Sequence, residues 1–123
     1  MVSGYAYKGG STFFQDCHQK FLKPFEELNI PYIFILGNHD DEANFNRMEI
    51  MDYDSKNELS YTMNQPFYGT NYYVPIYNKD ETKEILRIWA FDSNDSGCGG
   101  HSLSWGCVDK EAIDAFRALP PGP

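Results

Sequence analysis

Residues 30–36 form an apolar run with a β-branched and aromatic bias, and it ends directly in Gly37-Asn38-His39-Asp40. A run of this length, flanked by Asn29 and Gly37, predicts a strand buried on both faces, the kind found inside parallel sheets. Residues 37–41 then form the loop at the strand's carboxyl end. In open α/β sheets this is where ligands gather. The rest of the chain has to be arranged around that junction.

Upstream, residues 1–10 read as a loop. Thr12-Phe13-Phe14-Gln15 fits a capping box opening a helix, with Phe14, Cys17, Phe21, Leu22, Phe25 and Leu28 on one side. Pro24 is expected to kink or divide that helix. Downstream, residues 42–52 read as a helix with Phe45, Met48 and Met51 inward. Residues 71–77 and 84–92 are strand-like, and the polar stretch between them predicts a hairpin. Residues 93–106, rich in Gly, Ser and Asn, are loop. Asp109 is placed to cap a last helix whose inner side is Ala112, Ile113, Phe116 and Leu119. Helices and strands alternate, so the class is α/β. No repeat or linker interrupts the chain, and residues 1–123 read as a single domain.

Charge narrows the partners. Eighteen acidic against ten basic residues give a net charge of −8, which argues against a nucleic-acid or anionic-membrane surface. A phosphorylated substrate stays open, because bound metal ions can supply positive charge that side chains do not. No apolar run reaches transmembrane length, and the opening residues show no signal-peptide pattern. The three cysteines, Cys17, Cys98 and Cys107, are expected to be thiols. The alternative is a Cys98–Cys107 pair in a secreted protein, with Asn94-Asp95-Ser96 as a glycan acceptor.

Gly37-Asn38-His39-Asp40 suits phosphate and metal chemistry residue by residue. Gly37 allows a sharp turn and close approach of a ligand. Asn38 offers a neutral oxygen to a metal whose other ligands are carboxylates. His39 can donate a proton to a leaving oxygen, or stabilise charge building there. Asp40 can hold the imidazole in its charged form. The same four residues also make an Asx-type turn with a solvated histidine, and their chemistry alone does not choose between the two.

Residues 30–42 resemble the central block of the calcineurin-like metallophosphoesterases, in the branch similar to purple acid phosphatases. Ser3-Gly4-Tyr5-Ala6, Phe91-Asp92-Ser93-Asn94 and the stretch from Ser104-Trp105-Gly106 to Phe116 agree with that branch. The resemblance implies part of an αββα sandwich with a mixed sheet. It implies a phosphoester substrate and two divalent or trivalent ions (Fe, Zn or Mn), with Asn38 a metal ligand and His39 acting on the phosphate.

The family also needs an Asp-x-His, a Gly-Asp, a later lone His and a Gly-His-x-His. Gly100-His101-Ser102-Leu103 lacks the second histidine. Asp16-Cys17-His18 falls inside the predicted helix and in the wrong order relative to Asn38. The expectation is therefore a partial domain, in which Met1 is an internal methionine following Gly-Asp. Such a chain would be inactive by itself and prone to self-association through exposed sheet edges. Ser3 stands where purple enzymes carry their iron-binding tyrosine, so the parent enzyme is not expected to be purple. Two other readings compete. One is a pseudoenzyme or binding module that keeps the fold, and the other is a carbohydrate-binding domain using Tyr72, Tyr73, Trp89 and Trp105.

Overall fold

A computed structural model describes residues 11–123. The readings of residues 1–10 (the loop, the Ser3-Gly4-Tyr5-Ala6 match and the Ser3 position) lie outside the described residues. The elements, in order, are α1 (Phe13–Glu27), α2 (Arg47–Asp54), β1 (Gln65–Tyr68), β2 (Asn71–Tyr77), β3 (Glu84–Ala90) and α3 (Lys110–Ala118). This is the α/β class that the alternation predicts.

Helix α1 begins where expected but by another device. Thr12 sits at the N-cap without capping, and its hydroxyl donates to Asp16 Oδ2 at 3.1 Å. The open N–H of Phe14 is satisfied instead by Asn44 Oδ1 at 2.8 Å. Phe14, His18 and Leu22 are buried, an i, i+4, i+8 stripe. Phe21 and Leu28 lie off that stripe and are exposed. Pro24 does not divide the helix, and Leu28 N–H still reaches the Pro24 carbonyl.

His18 makes the most consequential contact of α1. Its Nε2 lies 2.7 Å from Asp54 Oδ1 at the end of α2, with both side chains fully enclosed. Tyr32 and Ser60 hydroxyls donate to the same carboxylate at 3.1 and 2.7 Å. Burial alone would push the Asp54 carboxyl up, but hydrogen bonds from His18, Thr62 and Ser60 outweigh it and hold it below its ordinary value. Asp16-Cys17-His18 is therefore helix, with His18 in the core, Cys17 half-buried and Asp16 exposed.

Residues 30–36 depart from expectation. They form no strand, and Phe34 and Leu36 are buried while Ile30 and Ile35 are exposed, so only one face is covered. Among the described residues their ladder contact is one parallel bridge, Tyr32 to Ser60. Further along, side chains replace the ladder. Phe34 N–H donates to Thr62 Oγ1, and the Phe34 carbonyl accepts from the Tyr72 hydroxyl, both at 2.8 Å. The segment is thus tied to the sheet without being one of its strands.

Helix α2 starts later than predicted, at Arg47 rather than residue 42, because Asn46 and Glu49 form a reciprocal capping box. Residues Asp40–Glu42 are a separate 3₁₀ turn. The inward positions are Ile50, Met51 and Asp54, and Met48 faces out.

The sheet is an antiparallel meander, β1-β2-β3. The β2–β3 hairpin is as expected, though β3 stops at Ala90, after which the Asp92 N–H turns aside to Asn71 Oδ1. Strand β1 was not anticipated. It carries Pro66 and a register shift, both tolerable on an edge strand. Tyr72, Val74 and Ala90 join Phe14, Phe34, Leu36, Ile50 and Met51 in one core. On the other face Phe116 of α3 meets Trp89 and Phe91 edge-on, at 4.7 and 5.5 Å between centroids. Ile113, expected inside, is 37% exposed, while Ala112 is fully buried. Among the described residues no helix is long and apolar enough to cross a membrane.

The long loop corrects the cysteine reading. Cys98 and Cys107 are joined, with Cα atoms 5.2 Å apart. Closing a loop of this size contributes about 2–3 kcal/mol by restricting the unfolded chain. Asn94 braces the loop. Its side-chain amide donates to the Cys107 carbonyl at 3.0 Å and to Asp109 Oδ1 at 3.1 Å. Asp109 is accordingly the N-cap residue of α3 without capping it.

Candidate active site

The loop at the end of residues 30–36 turns at Asn38 and His39 and then enters the 3₁₀ turn. Gly37 N–H donates to Asp40 Oδ2 at 2.6 Å, which folds the loop back on itself. Asp40 is buried, whereas Asn38 and His39 are half-buried at the rim. His39 Nδ1 lies 2.5 Å from Glu42 Oε1. The carboxylate facing that nitrogen is therefore Glu42, three residues on, a partner that the sequence reading did not consider.

Arg47, the first residue of α2, reaches across the loop. Its Nη1 donates to the Gly37 carbonyl at 3.0 Å and to Asp41 Oδ1 at 3.2 Å. Its Nε donates to Asp92 Oδ2 at 3.0 Å, and Nη2 pairs with Asp92 Oδ1. Asp92, just past β3, is buried and also accepts from Thr70 Oγ1 at 2.5 Å and Asn94 N–H at 2.8 Å. Burial opposes the charge on both partners. The hydrogen bonds between them win, holding Asp92 low and Arg47 high.

This donor set is not a metal centre by itself. Among the described residues no group of three or more His, Cys, Asp or Glu side chains is placed to hold an ion. Asp41 and Asp92 are engaged by Arg47, His18 by Asp54, and His101 lies exposed in the disulfide loop. The aromatics of the carbohydrate-binding reading are placed unlike one another. Tyr72 is wholly buried, Trp89 packs against Phe116, and Trp105 stands 77% exposed.

A sequence model of the calcineurin-like phosphoesterases matches residues 5–119, almost the whole chain and all of the loop just described. The chain belongs to the calcineurin-like phosphoesterases. No curated protein and no solved structure matches it. As a calcineurin-like phosphoesterase it falls among metal-dependent phosphoester hydrolases, a family that typically uses two metal ions. Sequence reasoning missed Arg47 and Glu42 in this setting. A single arginine or glutamate near a helix start has no distinguishing pattern, and only the folded loop brings them to Gly37 and His39.

Proposed function

We infer that the chain carries the asparagine–histidine part of a phosphoester hydrolase with a dinuclear centre of Fe, Zn or Mn, in the branch similar to purple acid phosphatases. The observation that carries this reading is the family match running across a loop in which Asn38 and His39 reach the surface while Asp40 is buried. Asn38 is the metal ligand. With Glu42 facing Nδ1, His39 is the residue that gives a proton to the leaving oxygen. Asp40 holds the turn from which both side chains project. The metal ions, when bound, supply the charge that polarises the phosphate.

One neutral ligand cannot compete with water for a pair of divalent ions. The remaining ligands come from outside these residues, and the chain as it stands hydrolyses phosphoesters negligibly. Calorimetric titration with zinc, manganese or iron(II), run beside an aryl-phosphate assay, tests this. Two metals bound per chain at micromolar concentration, with metal-dependent turnover, would show that other residues are the ligands, Asp16, His18 and His101 first among them. In a form carrying the full ligand set, His39→Ala should lower kcat about 10²-fold or more, as expected for a lost acid catalyst. Asn38→Ala should chiefly weaken metal binding. Full turnover by the His39 variant at saturating metal would remove His39 from the chemistry.

A further inference from the structure

The guanidinium of Arg47 touches both the loop of residues 37–41 and Asp92, just past the end of β3. Its contacts with the loop fall on the carbonyl of Gly37 and on Asp41 Oδ1. That carbonyl shares a rigid peptide plane with the N–H of Asn38. Fixing its direction fixes the direction in which the chain leaves toward Asn38 and His39. On its far side the same guanidinium grips both oxygens of Asp92, which Thr70 and the Asn94 N–H hold in turn. Arg47 and Asp92 are 14% and 5% exposed, so water does little to screen the pair.

We propose that Arg47 and Asp92 form a positioning pair, which anchors the Gly37–Asn38 peptide to the end of the sheet and sets where Asn38 and His39 point. The functional reading above enters only through what those two residues do. Neither Arg47 nor Asp92 is a catalytic residue in this proposal, because both act through the loop. The fork geometry is needed. One ammonium cannot donate along Asp92 with two nitrogens while a third contacts a carbonyl on the other side.

The test uses the isotope-labelled chain and three variants, R47K, D92N and the double substitution. Three quantities are followed by NMR: hydrogen exchange of the Gly37 amide, exchange of the β2–β3 ladder amides, and the ring signals of His39. Losing a charge-assisted anchor should raise exchange at Gly37 by about tenfold or more in each single variant. The double variant should show no further rise, because both changes remove the same link. The His39 ring signals should split or broaden, while the ladder amides keep their protection. Unchanged exchange at Gly37 with unchanged His39 signals would overturn the proposal. So would loss of ladder protection along with it, or an unfolded R47K chain, because the pair would then be a brace of the whole fold. Metal and aryl-phosphate titrations decide the functional reading separately, and neither result alters the exchange pattern.

Discussion

Asp54→Ala should remove about 3–5 kcal/mol of folding stability, as expected when a buried carboxylate that several hydrogen bonds converge on is deleted. Domains are commonly stable by only about 5–15 kcal/mol, so much of the margin would be gone. The reason lies in what is left behind. His18, Tyr32 and Ser60 would each lose the acceptor they now use, in a place that water does not reach. Urea denaturation followed by far-ultraviolet circular dichroism reads the change. A loss below about 1 kcal/mol would mean that the cluster is hydrated and not the buried anchor described.

Acid should act on the same group. The Asp54 carboxyl is held below its ordinary value of 3.8 in the folded chain. Its contribution is therefore complete above that value, and is lost as pH falls through the lower folded value. Asp92 is shifted in the same direction and adds to the effect.

Phe14→Ala should cost a similar amount, about 3–5 kcal/mol, the usual range for an aromatic ring removed from a packed core. The ring is fully buried and meets His18, Phe45 and Tyr53 at centroid distances of 5.2, 5.6 and 6.2 Å. It fastens α1 to α2 and to the residues before it, so no neighbour can collapse into the gap without moving a helix. Leu103→Ala is the matched control, because Leu103 is fully exposed and should change stability by less than about 0.5 kcal/mol. Paired denaturation curves measure both. A Phe14 variant as stable as the Leu103 variant would mean that α1 is not docked. The Phe14 and Asp54 changes share His18, so together they should cost less than their sum.

Much of this was legible in the sequence wherever one segment carried its own signal. The presence of α1, the β2–β3 hairpin and the turn at Asn38 all follow from periodicity or turn chemistry within a few residues, although the buried stripe of α1 takes in His18 and leaves out Phe21 and Leu28. Residues 30–36 show the limit. Their apolar character predicts an extended segment, but whether a strand becomes part of a ladder depends on neighbours that local pattern cannot reveal. The capping box at Asn46 and Glu49 was present in the sequence, yet the apolar residues before and after it suggested one longer helix. Strand β1 carries Pro66, a residue that sequence pattern does not associate with strands and that an edge position tolerates. The His18–Asp54 pair and the Arg47–Asp92 pair join residues 36 and 45 positions apart. Distances of that order in sequence leave no periodic trace.

The meander also bears on how the chain reaches this structure. Each strand pair in the sheet is closed by a short connection, residues 69–70 between β1 and β2 and residues 78–83 between β2 and β3. Hairpins with such connections assemble within about 1–10 microseconds. The half that carries Asn38 has no such shortcut. Phe34 is fastened to Thr62 and Tyr72, and Arg47 to Asp92, so its contacts wait for distant segments to meet. The sheet should therefore form first, and the loop of residues 37–41 should lock last. In pulse-labelled refolding, the β2–β3 amides should become protected before those of Phe34 and Gly37. Simultaneous protection would mean that the two halves form in a single cooperative step. If the order holds, the loop that carries the proposed site is the last part of the molecule to be made and the first to open.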